Sequence, residues 1–300
     1  MRYAYYPGCS LHSTAFEYDL SMRAVLEKLG IEYEELRGWI CCGTSPAHCS
    51  SKLLGVTLPI KNLAIAEEDG FRQMIVPCAS CFSRLKIALH ETSENPELKE
   101  KVEQVLNYAY QGSVEVRHPL DILYNEVGLE RIRESVRENL SRMKVVCYYG
   151  CLLTRPPKAV NFDQCEYPMT MDNLLKGCGI EVLDWSYKTD CCGAGQALAL
   201  TNIVVKLSRD ILDNAKQVGA EAVAVACPLC HSNLDARQSE IEQTYKLSLN
   251  LPIFYFSQLI ALAMGVDKNK IGLQGHLVNP FPLLKKIKSP SSPARPPSRG

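Results

Sequence analysis

Cys41-Cys42-Gly43 and Cys191-Cys192-Gly193 are one tripeptide met twice in a single chain, and the cysteines around it repeat as well. Each doublet lies between an earlier lone cysteine and a later Cys-x-x-Cys pair. The first set is Cys9, Cys41, Cys42, Cys78 and Cys81; the second is Cys151, Cys191, Cys192, Cys227 and Cys230. Doublet and pair are separated by 35 residues in the first half and 34 in the second. This pattern places ten of the 14 cysteines. Adjacent Cα atoms lie about 3.8 Å apart, closer than the roughly 4.4–6.8 Å of a relaxed disulfide. Two vicinal bridges in one chain are therefore disfavoured, whereas neighbouring thiolates on one polynuclear metal site carry no such strain. Five sulfurs per half exceed the four of a zinc site or an ordinary cubane. The surplus favours an iron–sulfur centre larger or more irregular than a cubane, with zinc and a spare thiol as the alternative.

Outward from the cysteines, the repeat extends to the elements that carry them. Tyr5-Tyr6-Pro7-Gly8-Cys9 returns as Tyr148-Tyr149-Gly150-Cys151, and Val76-Pro77-Cys78-Ala79-Ser80-Cys81 as Ala226-Cys227-Pro228-Leu229-Cys230. Leu26 to Glu32 returns as Leu175 to Glu181, and Val116 to Gly128 finds an echo in Phe254 to Gly265. Strands are expected over 2–6, 31–36, 73–76 and 114–117. Helices are expected after a cap at Ser13 and over 53–69, where Pro59 must begin, bend or interrupt the helix. Glu130 to Met143, highly charged and with little apolar stripe, reads as a helical connector. The second half carries an insertion of about eight residues after Cys151 that includes Thr154 to Lys158 (from the aligned spacings). The pattern predicts an α/β fold of two pseudo-symmetric βα domains related by the internal repeat, each with a small, mostly parallel sheet. Their spans are 1–140 and 141–284, followed by a disordered or loosely docked tail over 285–300, whose Lys, Ser, Pro and Arg cannot bury a core.

Cys9, Cys78, Cys151 and Cys227 each follow an apolar β-like run, which puts both cysteine sets beyond the carboxyl ends of strands, where open α/β sheets build their sites. A thioredoxin-like Cys-x-x-Cys redox pair explains neither the doublet nor the lone cysteine. Cys147 and Cys178 read as core residues, and Cys49 and Cys165, which have no repeat partner, as structural or as lining the site. Lys plus Arg and Asp plus Glu are each 33, which gives no nucleic-acid-binding charge. No apolar run reaches the length of a membrane span. Cysteine richness without a signal-peptide pattern points to a reducing, cytoplasmic setting.

With its two full sets of five cysteines, the chain resembles the CCG-domain family, and within it the B-type subunits of heterodisulfide reductases, over about residues 1–265. The resemblance implies that each five-cysteine set holds a noncubane [4Fe-4S] cluster and that a disulfide substrate binds between the two clusters. It also implies partners: a ferredoxin-like, C-type subunit that donates electrons and, beyond it, a flavin-containing, A-type subunit. No ferredoxin-type cysteine run and no Gly-x-Gly-x-x-Gly occurs here. His12, His48 and His231 are candidates for protonating a departing thiolate, or for hydrogen-bonding cluster sulfurs. Arg155 and Lys158 are candidates for an anionic substrate group, or are solvated loop charges. Three functions compete: a disulfide-cleaving catalytic subunit, an electron-transfer subunit of a quinone-linked or dehydrogenase complex, and a zinc-stabilised assembly module. The first requires both sets to face one cavity.

Overall fold

A computed structural model of the protein describes residues 2–44, 46–197 and 199–288. The chain folds into two four-stranded sheets. The first contains β1 (Tyr3–Tyr5), β2 (Tyr33–Glu35), β3 (Gln73–Ile75) and β4 (Glu115–Arg117) in the order β2-β1-β3-β4. The second contains β5 (Lys144–Tyr148), β6 (Glu181–Val182), β7 (Ala222–Val225) and β8 (Ile253–Tyr255) in the order β6-β5-β7-β8. All six pairings are parallel. The central strands read as continuous apolar runs because parallel sheets are covered on both faces; β1 and β7 are buried along their whole length. The architecture is the pseudo-symmetric α/β pair that the repeat implies.

The halves pack through exchanged helices. Phe16–Lys28, which follows β1, lies against Phe256–Ala263, which follows β8, while Thr170–Gly177, after β5, lies against Pro119–Val127, after β4. These are equivalent contacts about a pseudo-twofold axis. Tyr18 stacks on Tyr255 with ring centroids 4.2 Å apart, and Ser21 and Ser257 share a hydrogen bond of 2.7 Å. In both sheets the order reverses direction between the first and third strands, and the crevice beyond their carboxyl ends is the switch point where such folds place sites.

Several elements depart from the sequence reading. Helix Phe16–Lys28 starts after Ala15 rather than at Ser13, whose hydroxyl donates instead to the Cys9 carbonyl at 2.8 Å. Pro59 lies inside the continuous helix Lys52–Glu68, a position tertiary packing of a largely buried helix tolerates. The connector is helical only over Leu129–Ser135 and is not free of apolar anchors, since Ile132, Leu140 and Met143 are buried. Residues 285–288, the start of the expected tail, belong to the helix Phe281–Lys288, with Leu284 and Ile287 against the core. Residues 289–300 of that expected tail lie outside the described residues.

Candidate metal centre

Each half gathers its five cysteines beyond the ends of its first three strands. In the first half Cys9 lies in the short helix Gly8–Leu11, Cys41 and Cys42 follow β2, and Cys78 and Cys81 open the helix Ala79–Glu94. The Cys9 and Cys41 sulfurs are 3.9 Å apart, and those of Cys42 and Cys81 3.2 Å. In the second half Cys192 and Cys230 are 3.8 Å apart. None of the fourteen cysteines is joined in a disulfide.

The tyrosines and glycines of the motifs account for this convergence. Tyr6 donates to the carbonyl of Ile40 at 2.8 Å and Tyr148 to that of Asp190 at 2.6 Å, fixing the residue ahead of each doublet. Gly8 (φ +66°) and Gly150 (φ +67°) adopt a backbone that favours glycine, and a Cβ on either would sit 3.0 Å from the sulfur of Cys81 or Cys230. Gly43 and Gly193, both at φ +77°, turn their N–H groups onto Cys41 and Cys191 at 3.4 and 3.3 Å. Backbone N–H groups aimed at sulfur favour thiolates. Hydrogen bonding from Cys151, helped by the Gly193 N–H, holds the Cys191 thiol down at about 6, while the same contact pushes Cys151 up. The donor set therefore suits a thiolate-ligated metal group: five cysteines per half with sulfurs paired within 4 Å, a backbone donor on one of them in each half, and a glycine where any side chain would intrude.

The two sets meet. Cys227 is held below its ordinary range by hydrogen bonds from Cys230 of its own half and from Cys78 of the other, and Cys78 is pushed up by Cys227. The Ser80 hydroxyl lies 3.5 Å from the Cys227 sulfur. A cavity of about 70 Å³ opens at this boundary, lined from the first half by Thr44, Ala79 and Ser80, and from the second by Cys151, Cys191, Cys227 and their neighbours. Beneath it, the Tyr18 hydroxyl lies 2.9 Å from the Pro77 carbonyl and 3.4 Å from that of Ala226, the residues ahead of Cys78 and Cys227. His118 accepts at Nδ1 from the Leu120 N–H and donates from Nε2 to Pro77. Neither Tyr18 nor His118 is legible as a site residue in the sequence, because each reaches carbonyls far along the chain.

The remaining candidates are placed away from the cavity wall. His12 pairs with Glu35 at 3.1 Å and packs edge-on against Trp39. His48 is exposed, with Cys49 3.7 Å away. His231 is buried in a stack with Tyr255, and burial drives its pKa down to about 3, so it is a neutral ring rather than an acid. Arg155 is committed to the Thr189 carbonyl at 3.0 Å and to Glu166 at 2.8 Å, where it braces the approach to Cys191. Lys158 lies in the short helix Pro157–Val160, packed on helix Ala79–Glu94. Cys147 and Cys178 are core, as expected; Cys49 is exposed and Cys165 half-buried. His231, Asp235 and His276 also bring ligand atoms within 4.8 Å of one another. Gln258 disfavours a cation there: its oxygen accepts from the Tyr255 N–H, so its amide nitrogen donates to His276 Nε2 at 2.9 Å. The neutral ring then carries its proton on Nδ1.

Residues 3–86 and 145–235 match the cysteine-rich CCG domain, so the chain belongs to that family. It is 30% identical over 280 residues to the 8-methylmenaquinol:fumarate reductase membrane anchor subunit of Wolinella succinogenes, covering 92% of this chain and 97% of that one. A heterodisulfide reductase B-subunit-like protein of Archaeoglobus profundus is 31% identical over 281 residues, covering 90% and 93%. The B-type subunit of the ferredoxin/F420H2-dependent CoB-CoM heterodisulfide reductase of Methanosarcina acetivorans is 27% identical over 288 residues, covering 93% and 95%. Among solved structures, a hypothetical protein from Helicobacter pylori shares the fold with a TM-score of 0.72 at 16% identity; the match covers 93% of this chain and 52% of that one. Among the described residues no helix is long and apolar enough to cross a membrane.

Proposed function

We propose that this chain is the disulfide-reducing subunit of a heterodisulfide reductase-like complex. The observation that carries the reading is that the second five-cysteine set opens onto a cavity walled from the other half by Thr44, Ala79 and Ser80, which neighbour Cys42, Cys78 and Cys81, with the Ser80 hydroxyl 3.5 Å from the Cys227 sulfur. In this reading Cys9, Cys41, Cys42, Cys78 and Cys81 hold one noncubane [4Fe-4S] cluster, and Cys151, Cys191, Cys192, Cys227 and Cys230 the other. Bound there, the clusters would supply electrons and Lewis-acidic iron for developing thiolates. The chain's own residues do the rest. Leu152, Leu229 and Ala79 line the cavity with apolar surface, which strengthens electrostatic interactions within it. Thr44 and Ser80 bring hydroxyls to it; Thr44 Oγ1 lies 3.1 Å from the Cys42 sulfur. The disulfide takes up two electrons and two protons and leaves as two thiols. Electrons come from a partner, a ferredoxin-like, C-type subunit with a flavin-containing, A-type subunit behind it, since the chain has no ferredoxin-type cysteine run of its own.

Anaerobically purified protein should contain about eight irons per chain, four per set, and should consume a CoM-S-S-CoB-like disulfide with reduced viologen as donor. Stoichiometric zinc with little iron would overturn the cluster assignment. Full iron occupancy without turnover of any disulfide would overturn the substrate. The likeness to the Wolinella protein supports a second reading, electron transfer between a quinol and a partner subunit without a disulfide. Reduction of the iron-loaded protein by a menaquinol analogue, together with inertness to disulfides, would select it.

A further inference from the structure

Lys158 is a candidate for an anionic group, and its surroundings fit that chemistry at a place remote from the cysteine cavity wall. A cleft of about 420 Å³ lies between helices Ala79–Glu94, Pro96–Leu106 and Pro157–Val160, closed at one end by the turn at Gln111 and Gly112. Lys86, His90, Lys99 and Lys158 line it, and no carboxylate does. Lys86 and His90 stand one turn apart on one helix, so both reach the same face. Among the described residues Lys99 meets Glu103 at 3.7 Å, while no carboxylate lies within ion-pair distance of Lys86 or Lys158. Tyr110, 5% exposed, forms part of the wall. Leu89 and Ala159 add apolar surface. Helix Pro157–Val160 comes from the insertion that only the second half carries, and it seats on the first half. The cleft therefore spans both domains and breaks their symmetry.

We propose that this cleft is a binding site for a phosphate group, carried by a small molecule whose apolar body rests on Leu89 and Ala159. Phosphate suits the site because Lys86, Lys99 and Lys158 line it with ammonium donors, and charge-assisted hydrogen bonds to phosphate are among the stronger polar contacts. The concave shape favours a small ligand over the flat acidic face of a protein partner. The site is independent of what the cysteine cavity does, so it can be tested apart from iron loading or turnover.

The test is titration calorimetry of the full-length chain with inorganic phosphate and with pyrophosphate at low ionic strength. The expected result is saturable binding at one site, weakened at least roughly tenfold by Lys86→Gln and again by Lys158→Gln. Lys158→Arg should retain it. Lys216→Gln, on the exposed end of helix Thr201–Gln217, should bind as the parent does. Thermal melting of each variant checks folding, which the exposed position of Lys158 leaves unaffected. Absence of saturable binding up to roughly 1 mM, or binding equally strong in the Lys86 and Lys158 glutamine variants, would overturn the assignment.

Discussion

Tyr18 has one hydroxyl hydrogen and two carbonyls within reach, those ahead of Cys78 and Cys227. It stands where the pseudo-twofold axis passes between the cysteine sets, and it ties both turns to one buried ring. Tyr18→Phe keeps the stack on Tyr255 and removes only the hydroxyl. Pro77 keeps its bond from His118, so the loss of stability should be modest, about 1 kcal/mol, read by denaturant unfolding. The larger expected effect is on the iron-loaded protein, where the reduction potentials or paramagnetic spectra of both clusters should shift together. Unchanged spectra would make Tyr18 a core residue and no more. Gly150→Ala acts on one half alone. Its positive φ costs a non-glycine residue about 1–2 kcal/mol, and the added carbon lies 3.0 Å from the Cys230 sulfur. Iron content should fall by about half, with the first half's spectrum retained. The cysteines and the glycines between them were legible because their chemistry is local and repeats. Tyr18 and His118 were not, since a hydroxyl or imidazole reaching a carbonyl dozens of residues away leaves no spacing to read.

At the scale of elements, the sequence foretold the strands and the helices after them, and it erred where a tertiary contact overrode a local signal. Ser13 has the chemistry of a helix cap, yet its hydroxyl turns to the carbonyl of Cys9. Residues 285–288 read as the start of a disordered or loosely docked tail, and Ile287 packs on the core. The inserted segment after Cys151 reads as a loop and is instead a short helix pinned to the other domain. Glu67 is another such anchor: its carboxylate accepts from the Gln111 N–H at 2.9 Å, the Ser113 N–H at 3.0 Å and the Tyr108 hydroxyl at 3.1 Å. Burial alone would raise its pKa, but these hydrogen bonds prevail and lower it. A depressed carboxylate contributes stability above its unfolded pKa and loses it as pH falls through the folded value. The 108–113 turn should therefore loosen below about pH 4.5, and Glu67→Gln should loosen it already at neutral pH. Amide exchange at Gln111 and Ser113 measures this; protection that is independent of pH and unaltered in the variant would contradict it.

Across the whole molecule, the repeat announced two equivalent halves but left open which rims would meet. Apolar pattern and spacing define each domain from within, whereas their docking rests on shape and on a few contacts such as Tyr18 with Tyr255 and Ser21 with Ser257. That docking makes the ten cysteines unequal. Cys191 is exposed and its thiol contact is with Cys151 of its own half. Cys227 is buried, its sulfur lies 3.5 Å from the Ser80 hydroxyl of the opposite half, and both Cys230 and Cys78 hold its thiol down. Two independent domains would respond identically to loss of either residue. The joined molecule should not. Cys191→Ser should remove iron from the second set only, leaving about half the parent content and an unaltered first-half spectrum. Cys227→Ser should also disturb the first set, because Cys78 loses its thiol partner across the boundary and the wall of the shared cavity changes. Iron analysis with paramagnetic resonance of both variants, purified without oxygen, separates the cases. If Cys227→Ser leaves the first-half signal as clean as Cys191→Ser does, the two centres act singly, and a substrate bridging them loses its structural basis.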